Sequence, residues 1–196
     1  GDDDAFLSTM PAELAEWARA SRFARLYTNE DDYINTMQSI FTKYDGGAEG
    51  KWKIFLSPSG VQWCSDSMLQ KIKRAAREWN TGIQLHVLES RYQMQYALKE
   101  YGKTSVAHLA ELGFLGEEVS CAHTVWATDD DIKILANSGA TVAHNPASNL
   151  RLGSGIARIR DMLAAGVTVA VGTDGMSAAG TNDLLSDLRL ADQLQR

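Results

Sequence analysis

Apolar and polar positions follow two different rhythms along the chain, and the change falls near residue 52. Before it, the spacing is helical. Ser8 or Thr9 can cap a helix with Pro11 in its first turn, and Leu14, Trp17, Ala18, Phe23 and Leu26 give it a partly apolar face. Glu30-Asp31-Asp32 opens a second helix, with Tyr33, Ile34, Met37, Ile40 and Phe41 at helical spacing and Asp45-Gly46-Gly47 as its stop. This stripe reads as core rather than as a platform for stacking bases.

From residue 52 short apolar runs alternate with amphipathic segments. Trp52–Leu56 is predicted as a strand leading into Ser57-Pro58-Ser59-Gly60-Val61-Gln62, and Ser65 or Asp66 then caps a helix through Leu69, Ile72, Ala75, Ala76 and Trp79. Gly82 punctuates the start of Ile83-Gln84-Leu85-His86-Val87-Leu88-Glu89-Ser90, a buried parallel strand that runs out at His86, with Glu89 on the loop beyond. Helical segments follow at Tyr92–Tyr101 and Ser105–Leu112. Val119–Ala122 is a strand ending in His123, and Thr128 caps a helix through Ile132, Leu135 and Ala136 that stops at Ser138-Gly139. Ala140–Ala143 is a strand ending at His144-Asn145-Pro146, and Asn149–Gly155 is a glycine-bearing loop before a helix over Ile156–Ala165. Val167–Val171 is a strand ending in Gly172-Thr173-Asp174-Gly175, and Thr181 or Asn182 caps a last helix.

Strands alternating with helices imply βα units and a parallel sheet. The polar strand ends, at Pro58, His86, His123, Asn145 and Asp174, are spaced 28, 37, 22 and 29 residues apart. A (β/α)8 TIM-type barrel averages about 31 residues per unit, so each gap fits one. The expected fold is α/β, a partial barrel, with residues 1–196 as one incomplete domain: a mainly helical lead-in over 1–51 and successive βα units over 52–196. A doubly wound sheet shares the alternation, but no GxGxxG follows a strand and no GxxxxGK[ST] occurs, which removes support for nucleotide-binding versions. At 196 residues the chain is shorter than the roughly 250 of a complete barrel, and we expect it to be part of a larger protein.

A net charge of −6 and a pI near 5.2 argue against a dedicated nucleic-acid or anionic-membrane partner. Two cysteines without CxxC spacing suggest no disulfide framework and favour a cytoplasmic setting. The acidic start, Gly1-Asp2-Asp3-Asp4, is unlike a signal peptide, and no apolar run is long enough to span a bilayer.

His86, His123 and Asp174 come from three separate strand ends, which a barrel gathers over one mouth. Any one of them alone is most simply structural. Together they suggest His86 and Asp174 as metal ligands, Glu89 as the group that moves the proton of a metal-activated water, and His123 as the group that orients substrate and hydroxide. Asp174 can also accept a proton. His108, on a helix, reads as packing or surface. Cys64 and Cys121 read as small buried hydrophobes.

The runs Leu85-His86-Val87-Leu88-Glu89, Ala122-His123-Thr124-Val125-Trp126, His144-Asn145-Pro146-Ala147-Ser148-Asn149-Leu150 and Val171-Gly172-Thr173-Asp174-Gly175 together resemble the amidohydrolase superfamily, in its branch of cyclic deaminases and triazine hydrolases. The resemblance covers residues 52–196. It implies a barrel hydrolase using one divalent zinc or iron ion, with His86 and Asp174 as ligands, and Glu89 and His123 as the acid/base pair. It also implies substrate contacts from Gln62, Trp126, Asn145 and Asn149. His144 lies within a family motif but at no ligand position. The family's first-strand His-x-His is absent, so the chain corresponds to barrel strands four to eight, and by itself is expected to bind metal poorly and turn over little.

The expected activity is hydrolysis of a carbon–nitrogen bond in a nitrogen heterocycle or related amine, a small-molecule substrate, with deamination ahead of dechlorination. The competing reading is a non-catalytic barrel fragment or pseudo-enzyme acting in binding or assembly. A generic α/β binding module is a third. Open sheet edges would also invite homo-oligomers.

Overall fold

The computed structural model describes residues 10–20, 29–180 and 182–196, so the expectations placed on Ser8, Thr9, Phe23, Leu26 and Thr181 lie outside the described residues. The chain divides into two compact units, Gly1–Lys43 and Tyr44–Arg196.

In the first unit, helix α1 (Ala12–Ala20) begins behind Pro11, whose carbonyl accepts from the Leu14 and Ala15 N–H groups. Leu14 and Trp17 remain exposed and Ala15 is buried. Helix α2 (Glu30–Tyr44) is capped by Asn29, whose Oδ1 accepts from the Asp32 N–H at 2.9 Å, and its first-turn acids and last-turn Lys43 suit the helix dipole. The core expected from Tyr33, Ile34, Met37, Ile40 and Phe41 is not formed: all are half-buried, and no residue of α2 is fully buried. A unit this small covers only part of a 15-residue helix.

The second unit carries the alternation. After a 3-10 turn at Val61–Trp63 come α3 (Asp66–Glu78), β1 (Ile83–Val87), α4 (Arg91–Tyr101), α5 (Ser105–Glu111), β2 (Val119–His123), α6 (Asp129–Ser138), β3 (Thr141–His144), α7 (Pro146–Arg151), α8 (Ile159–Ala164), β4 (Thr168–Val171), α9 (Met176–Ala179) and α10 (Leu184–Leu194). Side-chain caps start several of these helices: Ser65 on the Met68 N–H, Ser90 on Gln93, Thr104 on Ala107, and Thr128 in a reciprocal capping box with Asp131. The last helix is capped by Asp183 rather than by a neighbour upstream, because its carboxylate reaches both the Leu185 and Ser186 N–H groups.

The four strands among the described residues are parallel and lie in sequence order, β1-β2-β3-β4. The order never reverses, so the sheet is singly wound, as in a barrel, without the switch point of a doubly wound sheet. Outward residues Ile83, Leu85, Val87, Val119, Cys121 and Val142 are essentially fully buried. Inward positions Gln84, His86, Ser120 and Ala143 stay partly open, so β1 reads buried-open-buried rather than buried on both faces. No described residue covers that inner side as a helix layer covers the outer one.

The expected strand Trp52–Leu56 is reduced to two bridges, Leu56 to Ile83 and Gly60 to His86. Pro58 lies between them and has no N–H to donate, so the ladder cannot continue through it. The loop expected over Asn149–Gly155 is helical in its first residues, since α7 begins on Pro146, a residue preorganised for the first helical position. The helix expected from Ile156 starts three residues later, at Ile159. Gly155, at a φ of 122°, does not continue a helix. No helix among the described residues is long and apolar enough to cross a membrane.

Candidate active site

The inner face of the sheet and its carboxyl-terminal edge line an open cavity of about 540 Å³. His86 from β1, His123 from β2, Asn145 after β3 and Asp174 after β4 line it, over a floor of small side chains at Ser120, Ala122, Ala143 and Ala170. Small residues there leave room that bulky ones would fill.

The strand ends carry unusual backbone. Leu88, His123, Thr124 and Asp174 have φ of 50°, 70°, 48° and 59°. Left-handed conformations are unfavourable for residues with a Cβ and tend to persist where the surroundings impose them, often at functional sites. The effect at His123 is specific. Alternation along β2 would send its side chain outward with Val119 and Cys121, yet its ring stacks against His86, with centroids 5.4 Å apart and planes at 14°.

Each of the candidate groups is held by a second residue. His86 Nδ1 is hydrogen-bonded to the Ser59 carbonyl, which also accepts the His86 backbone N–H at 3.2 Å. A carbonyl can only accept, so Nδ1 carries the proton and the Nε2 lone pair is free to face a hydrogen-bond donor or a cation. His123, 1% exposed, has Nδ1 2.8 Å from Asn149 Oδ1, and its Nε2 lies 3.9 Å from Glu89 Oε2. Glu89 Oε1 accepts from Ser154 Oγ at 3.4 Å, and the Glu89 N–H is bonded to Gln93 Oε1. Asp174 accepts from Ser148 Oγ at 2.5 Å and from the Gly175 N–H at 2.7 Å. Partial burial pushes the Asp174 carboxyl upward, but the Ser148 and Gly175 donors and the facing His123 and His86 rings outweigh it and hold it below its usual value.

The other sequence-derived candidates take separate places. Gln62 is half-buried in the 3-10 turn, and its amide lies over Gly60, the residue bridged to His86. Trp126 is 38% exposed and donates from its indole to the Ser154 carbonyl. Asn145 caps no N–H of α7. It donates to the Ala143 carbonyl at 3.4 Å, and its Oδ1 lies 2.5 Å from where a side chain at Gly172 would begin. Asn149 is 1% exposed and lies behind His123 rather than on the cavity wall. Residues not singled out from the sequence are Ser59, Ser148 and Ser154. His144 is buried on the outer side of β3 with neither ring nitrogen hydrogen-bonded, and burial followed by repulsion from His123 pushes it down to about 4. His108 is a packing residue, stacked on Tyr101 and bonded to Asp66.

A metal ion would find the right kinds of donor here, but too few. The Ser59-oriented imidazole and the hydrogen-bonded carboxylate have the usual supported form of ligating side chains. Among the described residues no group of three or more His, Cys, Asp or Glu could hold an ion, whereas a catalytic zinc site usually takes three protein ligands and water. His86 and Asp174 thus fit as two members of a larger ligand set.

Comparison with known proteins agrees with this geometry. The chain is 40% identical over 153 residues to a 5'-deoxyadenosine deaminase of Methanosarcina mazei, an alignment covering 78% of this chain and 35% of that protein. It is 38% identical over 146 residues to a 5-methylthioadenosine/S-adenosylhomocysteine deaminase of Pyrococcus abyssi, covering 74% and 34%. A crystal structure of atrazine chlorohydrolase TrzN from Arthrobacter aurescens TC1 complexed with zinc matches with a TM-score of 0.80 at 29% identity, over 85% of this chain and 37% of that one. The chain spans little more than a third of the length of these relatives. Its fold is a partial TIM-type barrel. With the profile of the Amidohydrolase family matching residues 25–196, the chain belongs to the amidohydrolase family.

Proposed function

We propose that this chain supplies the acid/base groups and two of the metal ligands of a longer hydrolase that replaces the exocyclic amine of a nitrogen heterocycle by oxygen, consuming water and releasing ammonia. The observation that carries the reading is the convergence of His86, His123 and Asp174, from three separate strands, on one cavity. Adenosine-type compounds are the first substrates to consider, because they are what the two deaminase relatives above are named for.

His86 Nε2 and the Asp174 carboxylate would hold one divalent ion, zinc ahead of iron given the zinc complex of the triazine-hydrolysing neighbour. When bound, such an ion supplies Lewis-acid activation of water near neutral pH. The remaining work falls to side chains. Glu89, on the loop above β1, takes a proton from the attacking water and delivers it to the ring nitrogen or the departing amine. His123, anchored through Nδ1, orients the attacking oxygen and the substrate with its other edge. Asp174, kept ionised by its donors, takes the second proton of the water and passes it to whichever of the ring nitrogen and the departing amine Glu89 has not served, so that ammonia leaves. Asn145 lines the space where a planar ring would lie, Gln62 and Trp126 would meet a substrate only beyond that wall, and Asn149 acts through His123. The compartment fitting the free cysteines, Cys64 and Cys121, is the cytoplasm.

A second reading, a non-catalytic segment used in binding or assembly, is favoured by one observation, the lack of a three-ligand group among the described residues. The two separate in the full-length protein that carries this chain. The hydrolase should contain about one zinc or iron per chain and release ammonia from adenosine derivatives, with Glu89→Gln lowering kcat by about 10²-fold or more. A preparation without stoichiometric metal, or a Glu89→Gln variant of undiminished turnover, would sink it.

A further inference from the structure

We infer that the segment Ser148–Ser154, which contributes no reacting group, is the positioning element of the site, with Ser148 fixing the Asp174 carboxylate and Asn149 fixing the ring tautomer of His123. The inference rests on the roles proposed above for Asp174 and His123.

Three hydrogen bonds connect this one stretch to all three reacting groups. Ser148 Oγ donates to Asp174 Oδ2 at 2.5 Å, Asn149 Oδ1 meets His123 Nδ1 at 2.8 Å, and Ser154 Oγ donates to Glu89 Oε1 at 3.4 Å. Ser148 and Asn149 are 0% and 1% exposed, and the Asn149–His123 contact is buried at both ends, whereas Asp174 also faces solvent. A helical serine commonly returns its hydroxyl to a carbonyl of the preceding turn. Ser148 instead spends its single proton on a carboxylate 26 residues away. With Gly175 donating to the other oxygen, each Asp174 oxygen has one donor and keeps a lone pair for a further partner.

Asn149 decides which nitrogen of His123 carries the proton. With Oδ1 facing the ring, Nδ1 carries the proton and the Nε2 lone pair points toward Glu89, 3.9 Å away. The segment is itself pinned. Asp187 of α10 accepts the Ala147 N–H at 3.2 Å, the Ser154 N–H returns to the Asn149 carbonyl at 2.8 Å, and the Trp126 indole holds the Ser154 carbonyl at 2.8 Å.

The test uses the full-length protein and two readouts independent of turnover. Long-range 1H–15N NMR of the His123 imidazole should report the Nδ1–H tautomer in the wild type. Asn149→Ala should give a mixture, whereas Asn149→Asp, which offers only acceptors, should keep the wild-type tautomer. Zn2+ affinity, measured by competition with a chromogenic chelator, should fall about 10- to 100-fold in Ser148→Ala and return toward wild type in Ser148→Thr, the range seen for residues that orient metal ligands. An Nε2–H tautomer in the wild type, or one unmoved by Asn149→Ala, overturns the assignment to Asn149. Wild-type Zn2+ affinity in Ser148→Ala overturns the assignment to Ser148. Asp174→Asn is the separating control: if it too binds Zn2+ like the wild type, the metal-ligand reading has failed, and the His123 tautomer still decides the role of Asn149.

Discussion

Lys73 and Glu118 form an ion pair at the opposite end of the sheet from the site, where its parts can be removed without touching chemistry. Lys73 Nζ lies 2.7 Å from Glu118 Oε1, with the lysine side chain 7% exposed and the glutamate 23%. Other contacts of Nζ are the Leu115 carbonyl at 3.4 Å and the Phe114 ring at 5.9 Å. Glu118 has a second cation, Arg77 Nε at 3.0 Å, on the solvent side. The two halves of the pair are therefore unequal. Glu118→Gln leaves a buried ammonium without its counterion, which costs about 3–5 kcal/mol when fully buried and about 2–3 here, since the partner is partly solvated. Lys73→Met removes the buried charge, keeps an apolar stem against Phe114 and leaves Glu118 paired with Arg77, at a cost below about 1 kcal/mol.

The pH dependence gives a second estimate. Burial raises the Glu118 carboxyl, but hydrogen bonds from Lys73, its own backbone N–H and Arg77 outweigh that and hold it at about 2, against an ordinary value of 4.5. A carboxyl depressed on folding contributes stability that is complete above its unfolded pKa and is lost as pH falls through the folded one, here between about 4.5 and 2. Allowing for solvent screening, that is about 2 kcal/mol, in line with the estimate from burial. Urea unfolding followed by circular dichroism, at pH 7 and pH 3, measures both. Equal losses from Glu118→Gln and Lys73→Met, or an acid loss in Glu118→Gln as large as in the wild type, would refute the reasoning.

Three further outcomes follow from the same structure. His144 is neutral and buried, its pKa depressed from 6.5 to about 4, so stability should be complete above pH 6.5 and fall by up to about 3 kcal/mol as pH drops toward 4. His144→Leu should flatten that segment of a stability–pH curve, and an unchanged slope there would exclude His144 as its source. Gly172→Ala would place a Cβ 2.5 Å from Asn145 Oδ1 and should cost about 1–3 kcal/mol. Asn145→Gly in the same chain should recover part of that loss in thermal melts, and strict additivity of the pair would show that the clash is not the cause. Thr128→Ala breaks the capping box at the start of α6 and should cost about 1 kcal/mol in urea unfolding; a cost near zero would mean the cap is replaced by water.

The alternation of strands and helices was legible because it depends on local signals. Ser65, Ser90, Thr104 and Thr128 are N-caps that bond within three residues of themselves, and Gly82 and Gly139 mark the ends of segments. His86, His123 and Asp174 were legible as strand ends, and the barrel winding brings strand ends together. The missed features depend on partners far along the chain. Trp52–Leu56 has strand-like composition, yet Pro58 limits its pairing with β1 to isolated bridges. The stretch 149–155 is rich in Asn, Gly and Ser and reads as a loop, but Pro146 and the Asp187 carboxylate start a helix in it. Asn149 looked like a residue of the pocket rim, but its side chain bonds instead to His123, 26 residues upstream. A tautomer fixed by the Ser59 carbonyl cannot be read from a one-dimensional pattern, because a backbone atom 27 residues upstream imposes it.

The left-handed residues at the strand ends set thermostability against function. Leu88, His123, Thr124 and Asp174 each hold a conformation that glycine adopts at little cost, with a penalty of about 1–2 kcal/mol for residues bearing a Cβ. At Leu88, His123 and Thr124, which are buried, the packing lost on truncation outweighs that relief, but Asp174 is exposed, so selection of random variants for heat resistance alone should enrich glycine there and erase the carboxylate that the cavity needs. Lineages kept only for expression or shelf life would lose the chemistry first where the backbone has most to gain.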